Sequence, residues 1–519
     1  MPRLARIVIA AIEILALSAL VLATRCANYQ DVFVDGNIYF ADADCYARMT
    51  RVRMCAQHPG LIVRHHDFEN FPAGTTPHTT APLDYLIVSL SLLLKPFTAH
   101  AIDLAGAVIS PLLGLLGGWF LWWWSRRMKL LYRWVVLLLY AISPILVHGT
   151  ELGRPDHQSL LILLVMIGVC AEWSLRTEES QLWSIVSGIA WSCALWVSFY
   201  EPLILFVIVL LFGLTKDRYL LSAPHRRIGW IVFATIVAIA FLVERRLPTF
   251  AIFQSSTLFA NWSRTIGELA HVSPWNRTWF AWAGYMIAVA PILIWYSFRK
   301  RAAPPNFVLA LLLATFLLTI WQARWSYFFM AIFLIALPEL LAPIKSRGAV
   351  WSALVLSILP VLQFWDARLW PNEAELAAQI ERRNESKQLR ELATSIRSEQ
   401  THPFLAPWWL SPSIAYWSGQ PGVAGSSHEA LDGISVSARF FLVSDLQGGR
   451  GILRNRRVDW VLAYDWRRVA QNSADLLGAS IPDNAIGRIL DRSAGQAPPF
   501  LVLSGQNQAA KLFRFADKL

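Results

Sequence analysis

Charged residues are scarce in this sequence. Only 16% of the 519 residues are Asp, Glu, Lys or Arg, whereas 55% are hydrophobic, and average soluble chains have nearer a quarter charged residues. The mean hydropathy is +0.43. This composition excludes a single soluble globular protein.

Cysteine is also rare. The five cysteines have no metal-ligand spacing, so they do not indicate a metal centre. Cys170 and Cys193 lie inside apolar runs, where a thiol acts as a small hydrophobic group. Only Cys45 and Cys55 are candidates for a disulfide. The chain also lacks internal repeats and low-complexity segments.

Acidic residues are outnumbered by basic ones. The chain has 46 Lys and Arg against 35 Asp and Glu, a net charge of +11, together with 25 Trp and 28 Phe. The basic residues form short runs between apolar stretches rather than one helical face, which argues against nucleic-acid binding. Basic loops and aromatic residues at interfaces are typical of a multi-span membrane protein.

Long apolar runs predict the membrane spans. The run from about Arg6 to Ala23 follows a basic start, and we interpret it as a first span, because no small-x-small cleavage site follows cleanly. A span needs about 20 residues to cross roughly 30 Å of hydrocarbon. Such runs begin again near Ala101, Leu130, Gln158, Leu182, Pro202, Ile228, Trp279, Pro304, Trp325 and Val350. We therefore expect a mostly α-helical polytopic fold of about 11–13 transmembrane helices.

Short basic loops predict the orientation. Four of them fall on one side of the membrane, and the positive-inside rule makes that side cytoplasmic, together with the N-terminus. They are Arg126–Lys129, Lys216–Arg218 with His225–Arg227, Arg299–Arg301 and Lys345–Arg347. An odd number of spans then places the C-terminus outside.

The outer face receives most of the polar sequence. It includes the loops 27–81, 149–157 and 245–277 and everything after about Arg368. A charged helix from about Glu373 to Glu399 is followed there by short apolar runs such as Trp460–Tyr464 and Phe500–Leu503. We predict a transmembrane domain over 1–368 and a small α/β extracytoplasmic domain over 369–519.

Carboxylates occur in each of the three outer loops. Ionisable residues at a membrane boundary are candidates for function, because their burial is costly unless a partner or ion compensates. Acidic groups from separate loops repel one another and favour a hard divalent cation, Mg²⁺ or Mn²⁺. They are Asp31, Asp35, Asp42 and Asp44 in the first loop, Glu151 and Asp156 in the second and Glu268 in the third.

Several short motifs in these loops resemble a known family. The first loop contains Asp44–Arg48, an Asp followed by aromatic and basic residues, then His66–Gly74 and Ala81–Leu86. The second contains Gly153–Gln158, and the third contains Thr265–Glu268, which reads TIGE. In this order they are similar to the motifs of the catalytic subunit of oligosaccharyltransferases, which are glycosyltransferases of the GT-C type.

The resemblance implies roles for individual residues. Asp44 and Asp156 would hold the divalent cation, with His157 and Gln158 as further ligands, and Asp44, Asp156 and Glu268 would be catalytic. Where the family has an acid or His, this chain has Gln158, so His157 or Glu151 is an alternative ligand. Glu268, with Asp42 as a second candidate, would orient the acceptor.

Two further matches concern the donor and the acceptor. Arg324, followed by Trp325, resembles the family's arginine that contacts the diphosphate of the lipid-linked donor; a guanidinium can grip phosphate oxygens through two hydrogen bonds. Trp408 and Trp409 resemble the start of the motif that reads the acceptor peptide, but Leu410 replaces its Asp. An alternative is that both tryptophans only pack the domain.

The resemblance implies an inverting, metal-dependent transfer of a glycan from a polyprenyl-diphosphate carrier to an acceptor, with protein Asn favoured, on the outer face of a bacterial or archaeal plasma membrane. One alternative is a GT-C enzyme that uses a polyprenyl-monophosphate sugar to modify a lipid, a glycan or a hydroxyl. Another is a transporter of lipid-linked saccharides, although transporters concentrate polar residues at the bilayer midplane.

Overall fold

The computed structural model describes residues 3–216, 221–246, 256–301 and 303–516. Asp217 and Arg218 of a predicted basic loop, and residues 247–255 of the predicted third outer loop, lie outside the described residues. The chain forms two compact units. Unit 1 comprises Met1–Val32, Leu104–Leu247 and Glu268–Asn372, and unit 2 comprises Phe33–Asp103, Pro248–Gly267 and Glu373–Leu519. The division predicted at residue 368 stays a prediction.

Unit 1 consists of apolar helices. Its described helices are Arg3–Arg25, Tyr29–Val32, Ala101–Arg127, Arg133–Ile142, Pro144–His148, His157–Ser174, Gln181–Val197, Tyr200–Lys216, Pro224–Glu244, Thr278–Ala283, Met286–Arg299, Asn306–Trp321, Ser326–Leu341, Arg347–Ser357 and Leu359–Leu369. The 3₁₀ turn Ala323–Trp325 belongs to the same unit, as does the turn Gly267–Leu269 except for Gly267, which falls in unit 2. The first three residues of Ala101–Arg127 fall in unit 2.

Six helices are long and apolar enough to cross a membrane: Leu4–Arg25, Ala101–Arg127, His157–Ser174, Pro224–Glu244, Ala323–Leu341 and Arg347–Leu369. Six shorter apolar helices accompany them among the described residues. This confirms the predicted multi-pass, mostly α-helical membrane fold. One of the shorter helices, Ala81–Leu94, was not predicted, because its apolar run is too short to span about 30 Å.

Two predicted spans are interrupted. The run that begins near Leu130 is divided between Ile142 and Pro144, because the residue before a proline disfavours helical dihedrals. The run that begins near Trp279 is divided at Gly284, which has a φ of +70°. Both interruptions place backbone polar groups at helix ends inside apolar sequence.

Close helix packing in unit 1 depends on two glycines. A Cβ atom on Gly188 would lie 2.4 Å from the carbonyl oxygen of Gly229, so the helices Gln181–Val197 and Pro224–Glu244 meet with their backbones in contact. Small residues permit this approach between membrane helices. Nearby, Glu172 and Arg226 form a buried ion pair.

Unit 2 is an α/β unit that includes the first loop. Its described helices are Ala43–Gln57, Ala81–Leu94, Thr257–Thr265, Glu373–Ser395, Ser411–Ser418, Leu431–Leu442, Leu446–Asn455, Trp466–Leu477 and Ile486–Arg492, with 3₁₀ turns at His428–Ala430 and Ala494–Gln496. The predicted charged helix is therefore present at Glu373–Ser395. Cys45 and Cys55 lie on one helix and form no disulfide. They were the candidates for one, but they lie ~15 Å apart along the helix axis, and a disulfide needs under ~7 Å.

The sheet of unit 2 has four strands, in the order Phe404–Leu405, Trp460–Tyr464, Ala510–Phe515 and Leu501–Gln506. The first pair is parallel and the other two are antiparallel. A small antiparallel pair, Phe33–Val34 with Asn37–Ile38, turns at Asp35 and Gly36, both at positive φ. The predicted small α/β region is confirmed, and its strand Ala510–Phe515 was not foreseen.

A buried cluster of charges fixes the helix that carries Asp44. Arg48 Nη1 donates to Asp84 Oδ1 over 2.7 Å, and Arg51 Nε lies 3.5 Å from Asp84 Oδ2. These three side chains are at most 7% exposed. Asp84 thus joins the helix Ala43–Gln57 to the helix Ala81–Leu94, both within unit 2.

Glu69 joins the first loop to the C-terminal part of unit 2. Its Oε1 accepts the backbone N–H of Ser426 over 3.2 Å, and the residue is 3% exposed. Burial raises the pKa of the Glu69 carboxyl from 4.5 to about 7, although the Ser426 N–H and the Arg51 charge oppose the shift. Asp44 and Glu429 add to the rise.

We expect Asp84→Ala to lower the thermal stability of the protein strongly. The substitution leaves the charges of Arg48 and Arg51 buried without their carboxylate, which costs about 3–5 kcal/mol for a broken buried pair. Thermal unfolding in detergent measures the change. Asp67→Ala, at an exposed position of the same loop, is the control and should change the melting temperature little; equal effects of the two substitutions would contradict this role for Asp84.

Glu69→Gln should alter how stability depends on pH. Because the folded-state pKa of Glu69 is raised, the folded protein holds this proton more tightly than the unfolded chain. The contribution of Glu69 to stability is full below 4.5 and is lost as pH rises through about 7. Relative to wild type, the Gln variant should therefore gain melting temperature as pH rises. Glu381→Gln, exposed on the helix Glu373–Ser395, should show no such trend.

Candidate active site

Asp156 begins the helix His157–Ser174 in unit 1. Its Oδ1 accepts the backbone N–H of His157 over 2.7 Å and lies 2.6 Å from Nδ1 of the His157 ring. An aspartate is favoured at this position, because it satisfies a free N–H of the first turn and its charge complements the helix dipole. The second-loop motif therefore places an acid and an imidazole together at the end of a candidate span.

Gln158 is the most unusual member of this motif. The residue is 1% exposed, and neither its Oε1 nor its Nε2 has a hydrogen-bond partner within the described part of the chain. A buried amide without partners costs roughly 1–3 kcal/mol per group. An amide oxygen in this position fits the oxygen ligands of a divalent cation, so the residues present are compatible with the predicted metal site.

Glu268 lies on the 3₁₀ turn Gly267–Leu269 and is held by a chain of side chains in unit 1. Its Oε1 accepts a hydrogen bond from the Tyr327 hydroxyl over 3.3 Å. The same hydroxyl lies 2.8 Å from His148 Nδ1, and His148 Nε2 lies 3.2 Å from Arg154 Nη2. Tyr327 and His148 thus fix the direction of the carboxylate.

Arg324 lies on the 3₁₀ turn Ala323–Trp325 and forms an ion pair with Glu201. The Nη2 to Oε1 distance is 2.5 Å, and the Glu201 side chain is completely buried. Arg324 Nε has no hydrogen-bond partner among the described residues. The carboxylates of Glu268 and Asp156 also act electrostatically on this guanidinium. Three acids of unit 1 therefore act electrostatically on one arginine.

Unit 1 thus brings together three of the residues predicted from separate motifs, Asp156, Glu268 and Arg324. Sequence reasoning missed Glu201 and Tyr327. A carboxylate at the start of the apolar helix Tyr200–Lys216 is itself a signal of function and would have identified Glu201. Tyr327 carries no such signal, because tyrosines are common at membrane interfaces.

Asp44 lies in unit 2, in the first turn of the helix Ala43–Gln57. Its side chain is exposed, whereas Asp42 caps the helix by accepting the Cys45 N–H over 3.0 Å. Asp42 therefore has a structural role, and its predicted part in orienting the acceptor stays a prediction. The charge of Asp44 acts on Glu69 and on His78.

Three side chains near Asp44 were not singled out from the sequence. They are His78, His428 and Glu429, all in unit 2. Burial opposes the charge of His78, but Glu429 overcomes it and raises the pKa of this imidazole. In turn, burial would raise the pKa of Glu429, and His78 and His428 instead hold it well below its ordinary value. No sequence motif connects His78 in the first loop with His428 and Glu429, which lie about 350 residues further along the chain.

The predicted acceptor residues Trp408 and Trp409 also lie in unit 2. Trp408 is buried, and its Nε1 donates to Asn472 Oδ1 over 2.6 Å. The two indole rings meet edge to face, 5.9 Å apart. Leu410 precedes the helix Ser411–Ser418. Trp408 is thus a packing residue of this unit, and the acceptor-binding role of the pair stays a prediction, as do the catalytic and metal-binding roles of the other residues.

A sequence comparison finds one curated relative. The chain is 23% identical over 177 residues to dolichyl-phosphooligosaccharide-protein glycotransferase 1 of Archaeoglobus fulgidus, a match that covers 34% of this chain and 28% of the relative. The matched segment thus spans less than a third of that protein. No model of a protein family matches the chain.

Solved structures show the same fold at low identity. The archaeal oligosaccharyltransferase AglB from Archaeoglobus fulgidus, in complex with an inhibitory peptide and a dolichol-phosphate, has a TM-score of 0.69 at 14% identity and covers 89% of this chain and 70% of its own. ArnT from Cupriavidus metallidurans, bound to undecaprenyl phosphate, has a TM-score of 0.58 at 13% identity and covers 100% and 99%. Another matching Archaeoglobus fulgidus oligosaccharyltransferase structure is a complex with Zn and sulfate.

These likenesses agree with the motifs. The chain has the GT-C membrane fold, and its predicted resemblance to the oligosaccharyltransferases is confirmed.

Proposed function

We propose that this protein is a membrane glycosyltransferase of the oligosaccharyltransferase type, which transfers a glycan from a polyprenyl-diphosphate lipid to an acceptor outside the membrane, with protein Asn as the favoured acceptor. The observation that carries the proposal is the convergence of Asp156, Glu268 and Arg324 in unit 1. Transporters place their polar binding sites near the bilayer midplane, whereas Asp156 lies at the end of a candidate span.

Arg324 would bind the phosphate of the donor. Its ion pair with Glu201 fixes one edge of the guanidinium, and its Nε has no hydrogen-bond partner among the described residues. Guanidinium and phosphate form two parallel hydrogen bonds, and the exclusion of water at a membrane boundary strengthens them. The complexes of AglB with a dolichol-phosphate and of ArnT with undecaprenyl phosphate support a phosphate-bearing lipid as donor.

Glu268 would orient the acceptor. The Tyr327 hydroxyl fixes one carboxylate oxygen, and the carboxylate can engage the N–H of an amide acceptor. The nucleophile would attack the anomeric carbon opposite the phosphate, the bond from that carbon to the phosphate oxygen would break, and the nucleophile would lose its proton to a carboxylate. Such a displacement inverts the anomeric configuration.

A divalent cation, Mn²⁺ or Mg²⁺, would be held in unit 1 by Asp156 and Gln158, with His157 as a further ligand. When bound, such an ion stabilises negative charge on a leaving phosphate. Asp156 supplies a carboxylate and Gln158 an amide oxygen without a hydrogen-bond partner in the described chain. The Zn and sulfate complex of the similar oligosaccharyltransferase supports a divalent cation in this fold.

Transfer from a polyprenyl-monophosphate sugar to a hydroxyl is a second candidate. Two observations favour it. The likeness to ArnT extends over 100% of this chain and 99% of that protein. In addition, the side chain of Leu410 has no hydrogen-bond acceptor for the hydroxyl of a peptide sequon. This candidate uses the same Asp44 and Arg324.

The two candidates are separated by one assay with two donors. The purified protein in nanodiscs with Mn²⁺ is given either a polyprenyl-diphosphate oligosaccharide with a fluorescent Asn-x-Thr peptide, or a polyprenyl-monophosphate sugar with a lipid acceptor. A glycopeptide in the first mixture supports the oligosaccharyltransferase proposal. Product only in the second supports the alternative, and turnover of neither donor contradicts both.

We expect Arg324→Lys to weaken donor binding. Lysine keeps the charge but loses the planar pair of donors, so KM for the lipid donor should rise ~10-fold, which corresponds to ~1.4 kcal/mol, with KM for the acceptor unchanged. Steady-state kinetics with each substrate varied measure both values. Arg347→Lys, at an exposed helix start, is the matched control. A rise in acceptor KM instead would contradict the assignment.

Substitutions of Asp44 and Asp156 should lower kcat. Asp44→Asn and Asp156→Asn each retain shape but remove a charge that would hold the cation or accept a proton, and each should lower kcat by ~10²–10⁴. Asp35→Asn is the control, because Asp35 is an exposed acid of the first loop that pairs with Lys387. If kcat is unchanged in the Asp44 and Asp156 variants, these acids are not catalytic.

A further inference from the structure

His78, His428 and Glu429 lie close together in unit 2, outside every motif that predicted the active site. One potential ligand atom from each of them lies within 4.8 Å of the others. Ligands ~2.0–2.2 Å from a common zinc ion are themselves ~3.3–4 Å apart. Small rotations of the side chains therefore suffice to place all three atoms around one ion.

Glu429 is already oriented for this purpose. Its Oε1 lies 2.6 Å from both the backbone nitrogen and the Nδ1 of His78, which fixes the carboxylate. Its Oε2 is buried and has no hydrogen-bond partner within the described residues, and His428 Nδ1 lies 3.5 Å away. A buried carboxylate oxygen without a hydrogen bond is costly, and a cation would satisfy it.

The surroundings of the three side chains also suit a cation. Asp44 acts electrostatically on His78, with Arg51 opposing it, and the Glu69 and Glu429 carboxylates act on each other. The His428 ring lies beside His78 and Trp262, with ring centroids 5.1 and 6.4 Å away. The His78 side chain is 38% exposed, which gives an ion access from solvent.

We propose that His78, His428 and Glu429 form a binding site for a borderline divalent transition metal ion of the Zn²⁺ type. Two imidazoles and one carboxylate are a ligand set of zinc, with a water molecule as the fourth ligand, whereas Mg²⁺ prefers oxygen ligands alone. The ion joins the first loop to the turn His428–Ala430 within unit 2. This site differs from the cation site proposed at Asp156, and it does not depend on the proposed transferase activity.

The test is direct binding of Zn²⁺ to the whole protein in detergent after removal of metals by a chelator. Isothermal titration should show a Zn²⁺ equivalent that is lost or weakened at least ~10-fold in His78→Ala, His428→Ala and Glu429→Gln. The same equivalent should persist in Asp156→Asn. Co²⁺ in its place should give the optical spectrum of a four-coordinate imidazole-ligated ion, which Glu429→Gln should change.

His402→Ala is the matched control. His402 Nδ1 also pairs with a carboxylate of unit 2, Asp459 Oδ2, over 2.8 Å. Among the described residues, no third metal ligand lies beside this pair. This variant should bind Zn²⁺ as wild type does. Melting temperatures show which variants are folded, and Zn²⁺ should raise the melting temperature of wild type but not that of Glu429→Gln. Equal Zn²⁺ binding by wild type and the three ligand variants, or no binding by wild type, would overturn the proposal.

Discussion

The ion pair between Arg324 and Glu201 is the interaction on which the site in unit 1 depends. A buried carboxylate at the end of an apolar helix is several kcal/mol too costly unless a cation accompanies it. The Glu201 side chain is completely buried, and its Oε1 lies 2.5 Å from Arg324 Nη2. The pair fixes the position of the 3₁₀ turn Ala323–Trp325 relative to the helix Tyr200–Lys216. The acids Asp156 and Glu268 also act electrostatically on the guanidinium.

The cost of a buried polar group without a partner also explains the series of hydrogen-bonded side chains around Glu268. Tyr327 and His148 connect it to Arg154, and Glu151 accepts hydrogen bonds from both Arg154 and Arg368. Each group in this series has a partner, so the acids at the ends of the apolar helices remain fixed in direction. A carboxylate that must meet a nucleophile in one orientation requires such support, because misplacement by 1 Å is enough to lower a rate substantially.

Local sequence was sufficient for part of this structure. Apolar runs gave the helices, because burial in lipid acts along each segment, and the motifs gave Asp156, Glu268 and Arg324. Sequence could not give the cluster at His78, because His428 and Glu429 are distant from His78 in the chain and only tertiary packing brings them together. It also overestimated the continuity of two spans, since Pro144 and Gly284 break helices that hydrophobicity alone would extend.

The two motif positions without an acid, Gln158 and Leu410, have different physical consequences. The Gln158 side chain is polar, buried and without hydrogen bonds in the described chain. A cation bound at Asp156 would therefore be held by one full charge and one amide dipole rather than by two charges. A hard cation would be held less tightly by Asp156 and Gln158 than by two acids. Leu410 offers no polar group, and the indole N–H of Trp408 is used by Asn472. Unit 1 therefore has the polar groups that the proposed donor recognition needs, whereas Leu410 in unit 2 has no polar group that would read a peptide hydroxyl.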